Sequence, residues 1–166
     1  GKEVLISKDG ILDLRNVDLG RIGYTVDPGA TIQTSTGTSE FEGNIAITNQ
    51  GSQNILNFDV NGTQLTVQGV ISGVNNASTG IRKSGSGTLI LESPNNYTGS
   101  TNINAGVIQF GSNNAVNANS NIVLRGGTVD FNGFGYGGTI ELGAGGSLDN
   151  WNYAGDLLLK IGRAHV

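Results

Sequence analysis

The stretch GSGTLILESPNNYTGSTNINAGVIQFGSNNAV, residues 85–116, decides the fold because it repeats one pattern at a nearly fixed interval. A glycine-led apolar run at residues 87–91, GTLIL, recurs at residues 106–110, GVIQF, which is 19 positions further on. It recurs again at residues 127–131, GTVDF, after 21 more positions. Short β-type segments that return about every 20 residues are typical of a solenoid, in which successive coils stack on one another.

The same pattern extends toward both ends of the chain. Further glycine-led runs begin at Gly10, Gly29, Gly62 and Gly146. The interval is 19 positions from residue 10 to 29 and from residue 127 to 146, but 25 positions from residue 62 to 87. We interpret the extra residues, near positions 75–78, as a loop that leaves one coil.

The composition is that of short strands separated by many turns. The 166 residues include 28 glycines, and only 13% of them are charged, against about 25% in ordinary domains. Glycine and asparagine accept the left-handed backbone of tight turns, and threonine suits a pleated surface. Because apolar residues recur at period two through most of the chain, we expect an ordered β protein and not a disordered one.

Charge and cysteine content exclude several classes of function. The net charge is −4, and the nine basic residues form no cluster, which argues against a nucleic-acid partner. No apolar run reaches the roughly 18 residues of a membrane-spanning helix, so we expect no membrane insertion. The chain has no cysteine, which excludes disulfides, thiolate metal sites and cysteine nucleophiles.

These observations predict an all-β fold, a parallel β-helix of roughly six or seven coils that is open at both ends. A sandwich or barrel is the alternative, because Asn61 and Gly62 could form a tight hairpin turn. In a β-helix, inward side chains of successive coils stack into apolar columns about 4.8 Å apart. The residues predicted for these columns are Leu89, Ile103, Val107, Leu124 and Val129. Asparagines at turns could form amide ladders on the outside; they are Asn95, Asn96, Asn102, Asn113 and Asn114.

Residues 85–91, GSGTLIL, and 95–111, NNYTGSTNINAGVIQFG, resemble the autotransporter-associated β-strand repeat. The preceding segments VISG (70–73) and IRKS (81–84) also resemble the usual approach to that repeat. The chain departs from the family at residues 92–94, ESP, where Ser-Gly-Ala is usual, and at Val107, where threonine is usual. The resemblance implies a right-handed parallel β-helix in the passenger of an outer-membrane autotransporter or a similar exported repeat protein. It carries over no catalytic residue.

Two groups of residues could in principle support chemistry. Residues 133–138, GFGYGG, fit a dinucleotide-binding pattern, but a predicted strand and not a helix follows, so no pyrophosphate site forms. Asp130, Glu141 and Asp149 could share one face as catalytic carboxylates or calcium ligands. We interpret them as solvated charges and expect no catalytic residue, no metal site and no cofactor.

Trp151 and Tyr153 are the candidate glycan contacts, because aromatic rings beside amide side chains can stack on sugars. The alternative interpretation is that Trp151 covers the apolar end of the last complete coil. No other residue is assigned to a binding site.

We expect residues 1–160 to form a β-helix passenger fragment, with the family-like repeat at 83–116. Residues 161–166, IGRAHV, resemble a translated read-through tail that is not native. The resemblance implies a secreted or surface-displayed bacterial stalk or spacer, not an enzyme, whose coil-by-coil folding supports secretion. The expected partners are adjoining coils of the parent protein, with extracellular glycans as a further candidate. The alternatives are an adhesin-type glycan-binding module and a polysaccharide-cleaving β-helix enzyme.

Overall fold

The computed structural model describes residues 3–51, 53–74, 78–151 and 158–161. In these ranges the chain forms nineteen β-strands and no α-helix. All strand pairs are parallel, including those on both sides of the family-like stretch. The all-β prediction is therefore confirmed, and the hairpin-based alternative is wrong. No helix in the described residues is long and apolar enough to cross a membrane.

The strands belong to three parallel sheets. Sheet A contains β1 (Glu3–Ile6), β4 (Gly23–Val26), β7 (Ile45–Ile47) and β10 (Ile71–Gly73). Sheet B contains β2 (Ile11–Arg15), β5 (Thr31–Thr36), β8 (Asn54–Val60), β11 (Thr79–Ser84), β13 (Thr101–Ile103), β15 (Ile122–Leu124), β17 (Thr139–Leu142) and β19 (Leu158–Ile161). Sheet C contains β3 (Asp18–Leu19), β6 (Thr38–Phe41), β9 (Gln64–Val67), β12 (Thr88–Leu91), β14 (Val107–Phe110), β16 (Thr128–Asp130) and β18 (Ser147–Asp149). Spatial order within each sheet follows chain order, so the molecule is a β-solenoid of about seven turns.

The strand register of sheet C follows the glycine spacing of the sequence. Thr88 lies beside Val107, Val107 beside Thr128, and Thr128 beside Ser147. These steps of 19, 21 and 19 positions are the intervals that the glycine-led runs predict. The longer step, from Gln64 to Thr88, contains the strand Ile71–Gly73 of sheet A. The loop predicted near positions 75–78 falls mainly on residues 75–77, which lie outside the described residues.

The glycine-led runs at Gly10 and Gly29 are not equivalent to the runs that open the strands of sheet C, so the prediction that matched them is wrong. Both precede strands of sheet B, and Ile11 pairs with Thr31, a step of 20 positions and not 19. The reason is physical: a glycine turn before an apolar strand serves either sheet equally well, so the local pattern does not identify the sheet.

The core consists of inward-facing apolar columns, as predicted, with one correction. Leu89, Ile103, Leu124 and Val129 are fully buried. Val107 is only half-buried and faces outward, because its register neighbours are Thr88 and Thr128. The inward residue of β14 is Ile108, which pairs with Leu89. The prediction of Val107 in a column fails because consecutive apolar residues in a strand leave the inward face undetermined.

The solenoid has two differently built regions. Residues 3–74, the three-sheet region, place strands in sheets A, B and C. Residues 78–151, the two-sheet region, form strands of sheets B and C only. There, segments 92–100, 111–121 and 131–138 close the third side without strands. The side chains that fill this side of the two-sheet region are Tyr97, Ala115, Val116, Phe131 and Tyr136, all buried.

Candidate functional site

Asn95 connects three coils at the boundary between the two regions. Its side-chain oxygen accepts a hydrogen bond from the backbone N–H of Ile71, at 2.7 Å. Its side-chain nitrogen donates to the carbonyl of Ala115, also at 2.7 Å. Since Ile71 begins the last strand of sheet A, the amide of Asn95 continues that ladder as a peptide group would. The predicted external amide ladder is thus wrong for Asn95, which is buried and bridges backbone groups instead.

A chain of hydroxyl groups follows in the same segment. The Tyr97 hydroxyl lies 2.8 Å from Thr101 Oγ1, which lies 2.9 Å from Ser120 Oγ in the next coil. One coil further, the Tyr136 hydroxyl donates to the Ser120 carbonyl at 2.6 Å. Burial raises the pKa of Tyr97, and it raises the pKa of Tyr136 to about 12. Both buried tyrosines are therefore neutral; the Tyr136 hydroxyl bonds the preceding coil directly, and the Tyr97 hydroxyl contacts Thr101, which bonds the next coil.

Lys83 occupies an inward position of β11, between Phe58 and Ile103 of the adjacent strands. Its side chain is fully buried. The Nζ atom donates to the carbonyls of Ser84, Gly85 and Ala105, at 2.7, 2.8 and 3.2 Å. Desolvation lowers the pKa of Lys83 to about 8, although the negative charge of Asp59 opposes the shift. The ammonium group thus joins the turn after β11 to the turn of the following coil through hydrogen bonds.

The turn that contains Gly106, next to Lys83, requires glycine at this position. Its φ is +65°, in the left-handed region that favours glycine. A Cβ atom at this position would lie 2.4 Å from the carbonyl oxygens of both Gly85 and Gly87. Any side chain here would push two coils apart.

A groove of about 670 Å³ lies on the outer face of sheet B. Its lining comes from four successive coils: Gln53, Asn54, Ile55, Ser78, Gly80, Arg82, Thr98, Gly99, Ser100, Asn102, Asn104, Asn119, Asn121 and Arg125. Gly80 leaves the floor free of a side chain, because a Cβ atom there would lie 2.3 Å from the Ser100 carbonyl oxygen. We call this feature the sheet B groove.

The sheet B groove is polar and carries two positive charges. Arg82 is exposed, and its guanidinium makes a long hydrogen bond of 3.5 Å to Asn57. Arg125 is exposed as well. The ion pairs within the described part of the chain involve Arg15 and Arg21 instead. The groove is therefore suited to hydrogen bonding and to binding anions.

The structure describes one of the two predicted glycan contacts. Trp151 is half-buried, and its ring meets Phe131 edge to face, with ring centroids 4.5 Å apart. It packs against the core cluster, as the structural interpretation of this residue requires. Tyr153 lies outside the described residues. Its contact with a glycan stays a prediction, as does that of Trp151.

The three candidate carboxylates do not form one group. Asp130 and Asp149 lie side by side on neighbouring strands of sheet C, whereas Glu141 belongs to β17 of sheet B. Burial alone would raise the pKa of Asp130, but hydrogen bonds from Gln109, Asn150 and the Asn132 N–H hold it below its usual value. Asp130 is thus an ionised, hydrogen-bonded carboxylate. Nowhere in the described ranges do three or more acidic, histidine or cysteine side chains gather as metal ligands.

The sequence interpretation did not identify Lys83, Arg82 or Arg125. Alternation along β11 gave one available signal, since Ile81 and Lys83 share a face and Arg82 takes the other. The groove itself had no local signal, because its lining is contributed by segments 53–55, 78–82, 98–104 and 119–125.

Comparison with known proteins gives two matches. The family model of the passenger-associated transport repeat matches residues 81–110. An adhesin described as BmaC autotransporter, from Brucella suis biovar 1 (strain 1330), is 29% identical over 134 residues. That alignment covers 76% of this chain and 4% of the relative, so the chain spans a small part of the relative's length. No solved structure gave a significant match.

The family match covers the elements that the geometry singles out. Residues 81–110 include the buried lysine of β11, the bridging Asn95, the Tyr97 hydroxyl and the turn glycine at 106. The chain therefore carries a passenger-associated transport repeat at residues 81–110, and most of its length is similar to a small part of an autotransporter adhesin.

Proposed function

We propose that this chain is a stalk or spacer segment of an exported bacterial surface protein, and that its coil-by-coil folding supports secretion. The observation that carries the proposal is the strand order. Within every sheet, each strand other than the first and last is hydrogen-bonded to the strands of the preceding and following coils. Such a stack extends in one direction as coils are added, and each added coil finds a finished surface to fold on. Its partners are the adjoining coils of the parent protein.

The inter-coil contacts support stepwise folding. Asn95 receives a hydrogen bond from the coil before it and donates one to the coil after it. Lys83 reaches the turn of the following coil. A coil that has docked through such buried polar contacts is costly to detach, because the freed groups would be left unsatisfied. Docked coils would therefore oppose backward movement of the chain during export.

Surface display of a full-length parent protein tests this role. Leu89→Asp places a charge in the fully buried column of β12 and should strongly lower display. Ile90→Asp, on the outward and half-buried side of the same strand, is the matched control. Normal display of the Leu89→Asp protein, together with loss of protease resistance in its passenger, would separate folding from export and contradict the proposal.

An adhesin-type glycan-binding module is the second candidate, because the relative in Brucella suis is described as an adhesin. Trp151 and Tyr153 are the proposed contacts. A glycan array probed with the protein tests this role, and Trp151→Ala should abolish any binding that depends on the aromatic pair. Because Trp151 also packs on Phe131, a Trp151→Phe variant shows whether a loss reflects the ring surface or the fold.

We propose a non-enzymatic role, although β-helices also serve enzymes that cleave polysaccharides. The separation of Glu141 from Asp130 and Asp149 in different sheets supports this view. An assay for new reducing ends or unsaturated products on plant and bacterial polysaccharides tests it directly. Product formation that Asp130→Asn abolishes would assign catalysis to this chain.

A further inference from the structure

The sheet B groove has a charge that differs from that of the whole chain. The protein carries a net charge of −4, yet the groove lining includes Arg82 and Arg125 and no carboxylate. Neither arginine forms an ion pair with another described residue, whereas Arg15 pairs with Asp13 and Arg21 with Glu42. Two guanidinium groups without acidic partners, facing one polar groove, are suited to bind an external anion.

The groove is elongated along the solenoid axis. Its lining begins at β8 and continues through β11 and β13 to the residues around β15, a span of three inter-strand steps. At about 4.8 Å per step the groove covers roughly 14 Å, and Arg82 and Arg125 are about 10 Å apart along the axis. This distance separates the strand levels and not the guanidinium groups, and a polymer that carries carboxylates along its length can pair with both arginines.

The remaining lining supplies hydrogen bonds. The side chains of Asn102, Asn104 and Asn121 are solvent-accessible and make no hydrogen bond to another described residue. Each amide offers two donors and an acceptor with two lone pairs. Such groups match the hydroxyls of a carbohydrate, while the absence of side chains at Gly80 and Gly99 lets a sugar ring approach the backbone closely.

We propose that the sheet B groove binds a carboxylated polysaccharide, with the sugar chain lying along the solenoid axis. Arg82 and Arg125 bind carboxylates of different uronic acid units, and the asparagines bind hydroxyls between them. No aromatic side chain lines the groove, so recognition relies on charge and hydrogen bonds and not on ring stacking. A nucleic acid is disfavoured, because two arginines on an acidic protein neutralise few phosphates. This site is separate from Trp151, and its existence does not depend on the spacer role.

Calorimetric titration with oligogalacturonate tests the proposal, using fully methyl-esterified oligogalacturonate as the uncharged ligand of the same backbone. Arg82→Gln and Arg125→Gln should each weaken binding severalfold, and the double variant roughly tenfold or more, since charge-assisted hydrogen bonds are lost. Arg21→Gln is the matched control, because it removes an exposed arginine that lies outside the groove lining. It should leave affinity unchanged, and the ester should bind much more weakly than the acid.

Three outcomes would overturn the proposal. The first is equal weakening by Arg21→Gln, which would show general attraction between charges. The second is equal binding of the ester and the acid, which would remove the role of the carboxylates. The third is binding of a single-stranded oligonucleotide at least as tightly as of oligogalacturonate. Thermal unfolding of each variant, expected to match wild type because both arginines are exposed, shows that a loss of affinity is not a loss of fold.

Discussion

The three-sheet and two-sheet regions close the third side of each coil with different interactions. In the three-sheet region, the third side of each coil is a strand of sheet A, and its interior is filled by Val26, Ile45, Ile47 and Ile71. Backbone groups pair in a regular ladder there. Any aliphatic side chain of suitable volume could serve at such positions, since burial is not directional.

In the two-sheet region the third side has no strand, so its backbone groups need other partners. Asn95 accepts from the Ile71 N–H and donates to the Ala115 carbonyl, and the Tyr136 hydroxyl donates to the Ser120 carbonyl of the preceding coil. The Tyr97 hydroxyl contacts Thr101 within its own coil. These contacts demand particular side chains, because an unsatisfied buried polar group is costly. The family match, residues 81–110, lies where side chains replace the backbone ladder of sheet A.

Among these substitutions, Asn95→Ala should lower the unfolding free energy most. It leaves the Ile71 N–H and the Ala115 carbonyl without their partner, and the expected loss is about 2–5 kcal/mol of unfolding free energy. Asn96→Ala is the control, since Asn96 is exposed and bonds Ile71 through its backbone N–H. Urea unfolding measures both. Equal stability of the two variants would show that the amide does not replace the ladder.

Lys83→Met should remove a pH dependence that comes from the two-sheet region. The pKa of Lys83 is about 8 in the folded protein and about 10.5 when unfolded. Between these values the unfolded state binds more protons, so wild-type stability should rise from pH 8 toward pH 10. The rise should be on the order of 2 kcal/mol after allowance for screening.

Urea unfolding at several pH values checks this expectation, and the Lys83→Met protein should show a nearly flat profile from pH 8 to pH 9.5. Above pH 10 both proteins should lose stability. The buried tyrosines Tyr97 and Tyr136 have raised pKa values, so the unfolded chain deprotonates first. The same rise in both proteins would refute the assignment to Lys83.

Tyr97→Phe should give a smaller effect, about 1 kcal/mol, because Thr101 retains its contact with Ser120 after the Tyr97 hydroxyl is lost. Tyr24→Phe is the counterpart in the three-sheet region. Burial alone raises the pKa of Tyr24, and no hydrogen bond of its hydroxyl occurs among the described residues. Its removal should change stability by less than about 0.5 kcal/mol. Thermal unfolding of the pair measures the difference, and equal losses would argue against a special role for the hydroxyl chain.

Much of the fold could be predicted because stacking imposes a period on the sequence. The glycines before β12, β14, β16 and β18 are at the spacing of the observed register. The position of Val107 could not be predicted, because it stands next to Ile108 and either residue could face inward. The number of sheets per coil could not be predicted from the sequence either. Gly10 and Gly29 precede strands of sheet B, and the same local pattern precedes strands of sheet C.

The candidate site was harder to predict than the fold. Lysine is rarely fully buried, so the sequence does not indicate that Lys83 faces inward and bonds three carbonyls. Arg82 and Arg125 are 43 positions apart in the sequence but face one groove after two coils. Predicting that such distant residues become neighbours requires the register of the whole sheet, which a local motif does not contain.

Distances between spin labels on one outward column of sheet C test the central claim, the parallel stacking of coils, most directly. The column contains Thr38, Gln64, Thr88, Val107, Thr128 and Ser147. The chain has no cysteine, so labels can be placed in pairs at Gln64 and Thr128, at Gln64 and Ser147, and at Thr38 and Ser147. Stacking predicts separations of about 14, 19 and 24 Å, a constant increment per coil. Separations that do not increase by one strand spacing at each step would contradict the account.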